Sequence, residues 1–271
     1  MGISVGSGAG VGVGVGAGVG IGFQASHEYE LCVVLAQSNG RGNGDYLESP
    51  AGIGLEIHTN GTIETSIVDP VGQDDSPFQI ATTGSIWPSL ANEYYALTGK
   101  KLIILQLAVG GSAQHARADI GPGYWIGGEN NIYDLAKAEI DAALTALNLT
   151  EYNYLFKWIM WFQGETDAIA IHNSIETQEQ YAADLATIIG YVFSDYSAHD
   201  LKFGVIQIAS VTGYTTECAQ IQAAEAAVAG STENAFLAYD NDFTMAGWDS
   251  YTQTMYNGMA ADIAAAMDGA I

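Results

Sequence analysis

The chain has 271 residues, of which 48% are hydrophobic and only 14% charged, which suits one large domain or two small ones and argues against global disorder. Acidic residues outnumber basic ones 31 to 7, for a formal net charge of −24. Such a surface repels phosphate backbones and anionic lipid heads, so no nucleic-acid and no membrane partner is expected; it fits a neutral ligand such as a sugar, or a salty medium that screens self-repulsion. No apolar run is long enough to span a bilayer, and no loop has the spacing of a metal site, so neither metal nor cofactor is implied.

Residues 2–22 carry Gly at every even position except 4, with Val, Ile, Ala and Ser between, and no charge appears before Glu28. This stretch lacks the basic and compact apolar regions of a secretory signal. Gly is entropically costly to order, so one reading of residues 1–26 is a flexible tail. The other is an anchor: alternating Val and Gly gives a strand with one apolar and one flat face, suited to stacking among copies in a homo-oligomer, fibre or virion. An extracellular or virion-associated setting follows from that second reading. Residues 27–271 form the globular part.

Leu31–Leu35 predicts a short buried strand ending in Gln37-Ser38-Asn39. Residues 53–67 contain Thr59-Asn60-Gly61-Thr62, a hairpin turn flanked by alternating residues. Trp87–Leu97 predicts a helix with Pro88 in its first turn, and Leu102–Val109 a strand ending in Gly110-Gly111. Asn130–Leu147 has the apolar spacing of an amphipathic helix. Tyr154–Phe162 reads as a strand ending in Gln163-Gly164-Glu165, Gln178–Phe193 as a helix, Phe203–Ala209 as a strand, and Glu217–Ala229 as a helix. Ala235–Tyr239 is the fifth strand of this pattern and Thr252–Met267 the closing helix. Strands and helices that alternate in this way predict a five-stranded, mostly parallel sheet covered on both faces, a three-layer α/β/α, flavodoxin-like architecture. Cys32 lies in an apolar run far from Cys218, which favours two buried thiols over a disulfide and leaves the redox compartment open.

In a parallel sheet the ligand lies beyond the carboxyl ends of the strands. Three strands end there in polar or Gly-rich clusters: Gln37-Ser38-Asn39, Gly110-Gly111-Ser112, and Gln163-Gly164-Glu165-Thr166-Asp167. Acyl transfer needs a nucleophilic hydroxyl, amide donors for an oxyanion, and Gly where backbone must come close.

Ala36-Gln37-Ser38-Asn39, Gly110-Gly111-Ser112 and Trp161-Phe162-Gln163-Gly164-Glu165-Thr166-Asp167 resemble, in order and spacing, the blocks of SGNH hydrolases, in particular the sialate O-acetylesterase and acetylxylan-esterase branch, over roughly residues 30–268. The resemblance implies a carbohydrate O-acetylesterase fold with Ser38 as nucleophile, and Gly111 and the Gln163 amide completing an oxyanion hole. It implies ligand or loop contacts for Gln37, Asn39, Ser112, Glu165 and Asp167, and an O-acetylated glycan as partner. The family's fourth block should place a His just before the closing helix. Here the chain reads Asp240 to Thr252 with no His anywhere after His199, and Asp249 or Ser250 stands in that position. An Asp with an ordinary pKa of about 3.9 is a poor general base.

His115, three residues past Ser112, is a candidate proton acceptor or ligand contact, and His172 a weaker one. His27, His58 and His199 are expected at the solvated surface. Tyr124 and Trp125 either stack on a sugar or pack a loop on the core. Arg41, just past Ser38, either binds an acidic sugar or pairs with one of the many carboxylates; the excess of acids favours the ion pair. Two functions stay open: an active serine esterase with a non-standard base, and a degenerate domain that binds glycan or serves a multi-copy assembly.

Overall fold

The structure is a computed structural model that describes residues 27–48, 50–248 and 251–271. The tail-or-anchor alternative for residues 1–26, and the expectations for Asp249 and Ser250, lie outside the described residues.

Strand β1, Tyr29–Ala36, is buried along its whole length, as a strand covered on both faces must be. Its one charged residue, Glu30, accepts hydrogen bonds from Tyr94 Oη at 2.7 Å and Trp158 Nε1 at 2.6 Å, which satisfies a carboxylate inside the core. After β1 the chain turns into a single helical turn, α1, Ser38–Arg41. The predicted hairpin forms as β2, Gly54–Ile57, and β3, Ile63–Glu64, paired antiparallel. Helix α2, Trp87–Thr98, has Pro88 in its first turn and stops at Gly99 in the left-handed region. Then come β4, Lys101–Ala108, and a small parallel pair, β5, Ala113–His115, with β6, Tyr124–Ile126. Helix α3, Ile132–Asn148, is capped by the Asn131 side chain. Strand β7, Tyr154–Phe162, leads through Gly164 into α4, Glu165–His172, a helix that the sequence pattern does not announce because its eight residues carry no apolar stripe. Helix α5, Gln178–Asp195, begins with a capping box between Thr177 and Gln180. The chain closes with β8, Lys202–Ile206, β9, Ser210–Val211, α6, Thr215–Ser231, β10, Ala235–Tyr239, β11, Thr244–Met245, and α7, Gln253–Gly269.

The main sheet has seven strands, not the five expected, in the order β10-β8-β7-β1-β4-β2-β3. The difference is the hairpin: β2 joins the sheet parallel to β4, and β3 adds the one antiparallel edge. Chain direction across the sheet reverses between β4 and β7, so right-handed crossovers place α3 on the face opposite α2. Helix α2 packs on α7, and α5 on α6, completing the three layers. The reversal falls beside β1, where a doubly wound sheet opens its ligand crevice.

Register fixes the crevice. Ala36, the last residue of β1, is level with Ala108 of β4 on one side and Phe162 of β7 on the other. Cys32 and Cys218 are buried and unbridged, as expected. Burial raises both thiols above their ordinary pKa, that of Cys218 to about 11, so neither is a thiolate at neutral pH.

The turn α1 is pressed onto the strand ends. A Cβ on Gly40 would lie 2.5 Å from Ala36 Cβ and 2.9 Å from Phe162 Cβ, neither of which can move without its strand. The Gly40 carbonyl also accepts the Trp87 indole N–H at 2.9 Å. Gly40→Ala is therefore expected to destabilise the fold by about 1–3 kcal/mol, the usual range for overpacking. Urea unfolding followed by tryptophan fluorescence checks this, and an unchanged midpoint would contradict the packing.

Candidate active site

Three strand ends at one level put three loops around one opening. Ser38, the first residue of α1, lines a cleft of about 470 Å³ together with Gln37, Gly110 and Gly111. Gly111 has φ +74°, the left-handed turn that lets the backbone fold back after β4. Arg41 and Gln79 form one wall; Glu165, Thr166, Ile169 and Trp248 form the other. The walls are tied at several points. The Gly110 amide donates to Gln79 Oε1 at 3.0 Å, and Thr166 Oγ1 donates to the Gly111 carbonyl at 3.0 Å.

Asn39 is buried behind Ser38, and its side-chain amide donates to Glu165 Oε1 at 2.6 Å and to the Trp248 carbonyl at 3.0 Å. Its own carbonyl accepts the Tyr256 hydroxyl at 2.8 Å. One side chain thus joins the serine turn, the start of α4 and the loop that precedes Asp249. Trp248 of that loop lines the cleft.

Gln163 lies one layer deeper than expected. It is fully buried and does not line the cleft; its amide donates to Gln37 Oε1 at 3.2 Å, to the Ser112 carbonyl at 3.1 Å and to Asp167 Oδ2. Its backbone carbonyl accepts the Tyr181 hydroxyl at 2.9 Å. Gln163 therefore orients Gln37, and Gln37, not Gln163, is at the cleft wall.

Other candidates also sit away from the opening. Ser112 is buried, with Oγ accepting the Trp125 indole N–H at 3.1 Å, and Trp125 is itself fully buried against Trp161. Tyr124 is half-buried, with its hydroxyl on the Glu129 carbonyl at 2.8 Å. For this pair the structure takes the packed-loop alternative, because an indole with an internal hydrogen bond is more stable in the core than at a wet rim. Asp167 is buried and accepts from the Gln114 amide at 3.0 Å.

None of the five histidines lines the cleft. His115 Nδ1 accepts the Arg117 amide at 3.1 Å, and its ring lies against Gly127, where a Cβ would come within 2.3 Å of Nε2. Burial lowers its pKa, Asp184 opposing and Arg117 assisting. His172 ends α4 and contacts Glu217 Oε1 at 3.2 Å, while His27 contacts Asn153 and His199 packs on Phe156. His58 is partly buried against Glu56 at 3.0 Å instead of fully solvated, because it faces a carboxylate inside the hairpin.

Arg41 departs from the expected ion pair. Its guanidinium donates to Gln79 Oε1 at 2.6 Å, Thr82 Oγ1 at 2.7 Å and Asn43 Oδ1 at 3.1 Å, all neutral acceptors, and among the described residues no carboxylate pairs with it. It lines the cleft. Gln79, Thr166, Ile169 and Trp248 were not singled out from sequence. Gln79 sits in an aperiodic loop with no signal of its own, whereas Trp248 lies inside the Asp240–Thr252 segment, next to the position where the family's histidine is expected.

Behind the cleft lies a buried acid pair. Burial, then the charge and hydrogen bond of Asp167, push Glu176 up to about 9, with the Arg117 guanidinium at 3.4 Å acting against them. Burial likewise raises Asp167 to about 6 although Gln163 and the Gln114 amide favour its charged form.

This doubly wound sheet, with an accessible serine at the switch point beside a Gly-Gly turn and a carboxamide wall, defines an SGNH-type esterase fold. Residues 28–239 match the family model "Carbohydrate esterase, sialic acid-specific acetylesterase", and the chain belongs to this family. Among curated proteins none matches. Among solved structures, a protein from Arabidopsis thaliana shares 15% identity at TM-score 0.67, covering 89% of this chain and 98% of its own. NanS shares 14% at TM-score 0.59, covering 89% and 97%. The carbohydrate acetylesterase Est24 from Sinorhizobium meliloti shares 11% at TM-score 0.50, with the same coverage of 89% and 97%. At such identities these likenesses speak for the fold.

Both acids of the buried pair have pKa values raised above their unfolded ones, so the stability they contribute is present at low pH and is lost as pH rises through about 6 and about 9. Unfolding free energy is expected to fall between pH 5 and 9, and Glu176→Gln to flatten the upper part of that fall. Denaturation at several pH values measures it, and an unchanged slope in the variant would refute the assignment.

Proposed function

We propose that this domain binds an O-acetylated glycan in the Ser38 cleft and hydrolyses the ester only slowly. The observation that carries the reading is the composition of the cleft: a serine, a glycine turn and a carboxamide, with no imidazole among the lining residues. The backbone amides of Ser38 and Gly111, with Gln37 held by Gln163, suit a carbonyl oxygen. Glu165 and Arg41 suit the polar groups of a sugar. What is missing is a group that takes the Ser38 proton near neutral pH. Loss of a triad member typically costs about 10⁴-fold or more in rate, with a residue of catalysis left by the oxyanion donors. Family membership supports a carbohydrate ligand.

A second reading, an esterase with a non-standard base, is favoured by the accessible Ser38 and by Trp248, which precedes Asp249 in the chain and lines the same cleft. Hydrolysis of p-nitrophenyl acetate separates the two. On the slow reading, Ser38→Ala changes turnover by less than about twofold, and Ser250→His raises Ser38-dependent turnover by about 10²-fold or more, the usual yield of a general base. Turnover of the unaltered protein that is fast and vanishes in Ser38→Ala would establish the esterase and overturn the slow reading.

The Gly/Val alternation of residues 2–22 supports a multi-copy setting for such a binding domain. Deleting residues 2–22 is expected to lower the oligomeric state seen by light scattering; an unchanged mass would end that proposal.

A further inference from the structure

Of the five tryptophans, Trp87, Trp125, Trp158 and Trp161 are fully buried, and Trp248 at the cleft is not. It does not stand alone. The Tyr214 ring lies 5.0 Å from Trp248, tilted by 52°, and the His172 ring lies 4.9 Å from Tyr214. Trp248 and Tyr214 are partly exposed and His172 is exposed. These rings make a continuous run that starts in the cleft wall and leaves it.

The helix beneath runs the same way. Glu165, Ile169 and His172 share one face of α4 at spacings of four and three residues, and the first two line the cleft. His172 therefore stands about 10 Å further out along the helix axis. Both ends of the run are fixed. Asn39 holds the Trp248 carbonyl, and Glu217 of α6 holds the His172 ring. Tyr214 sits at the N-cap of that same helix, after Gly213 at φ +90°.

We infer that Trp248, Tyr214 and His172 form an aromatic ledge that carries further sugar units of a glycan chain whose acetylated unit lies over Ser38. The inference rests on the glycan reading of the cleft and adds that the ligand is a chain, not a monosaccharide. Aromatic rings present flat apolar faces that match the C–H faces of sugar rings, and they do so with little conformational entropy to lose. The ledge extends beyond the space one sugar needs at the serine. The one carboxylate beside its outer end, Glu217, is turned to the His172 ring at 3.2 Å. Among the described residues the cation–π contacts are Lys101 over Tyr29 and Lys137 over Tyr196, so no cation covers a ledge ring. The units it takes are therefore neutral. An anionic chain would also meet the field of a molecule with a net charge of −24.

Calorimetry with O-acetylated xylose and O-acetylated xylotetraose on the full chain tests this. The tetrasaccharide is expected to bind about tenfold more tightly than the monosaccharide, the scale of one or two stacking contacts. Tyr214→Ala and His172→Ala are each expected to shrink that ratio toward one, and Tyr214→Phe to retain it. Circular dichroism establishes that each variant folds, and His172→Ala, at an exposed position, serves if Tyr214→Ala does not. A wild-type ratio near one with measurable monosaccharide binding, or a ratio untouched in both alanine variants, overturns the ledge and leaves the cleft reading standing. Failure of both saccharides to bind overturns both.

Discussion

The functional end of this protein depends on one alignment: the last residue of β1 is level with the last residues of β4 and β7. Parallel pairing of three adjacent strands leaves their carboxyl ends at one height, and the three loops that follow must then share one opening. The reversal of chain direction beside β1 keeps a crossover helix from closing that opening. Gly40 lets α1 seat against Ala36 and Phe162, so the Ser38 hydroxyl stands at the mouth of the crevice.

Around that opening the polar groups are arranged in depth. Gln37 meets the cleft, Gln163 holds Gln37, and Asp167 holds Gln163. A buried carboxamide must spend its donors on fixed acceptors, and here those acceptors fix its neighbour in turn. Asn39 does the same laterally, joining α1, α4 and the loop before Asp249. The cleft is therefore built stiff, and no imidazole is among its lining residues.

Charge is distributed with similar consequence. In a chain so rich in acids, Arg41 is held by Gln79, Asn43 and Thr82 and keeps its charge for the cleft, while Arg117 is drawn to Glu176 and Asp184 behind it. Sequence counting favoured an ion pair for Arg41 because acids are plentiful. Local packing decided otherwise: the groups that reach its guanidinium are the neutral side chains of Asn43, Gln79 and Thr82.

The sequence by itself determined the class of fold, the strand that precedes Ser38, the Gly-Gly turn, the third polar block and the absence of a late histidine. Each is local: an apolar run of strand length, a turn residue or a missing residue type is visible without knowing what packs against it. Only the tertiary structure decided that the 53–67 hairpin adds two strands to the sheet, that Gln163 acts one layer beneath the cleft, that Trp125 and Ser112 belong to the core, and that Trp248, Tyr214 and His172 come together. Those outcomes depend on strand register and on which side of a helix faces a neighbour, and both are set by contacts between segments far apart in the chain. Helix α4 shows the limit well: its eight residues have too little apolar periodicity to be read, and its place is set by Gly164 and by the groups that hold Glu165 and Asp167.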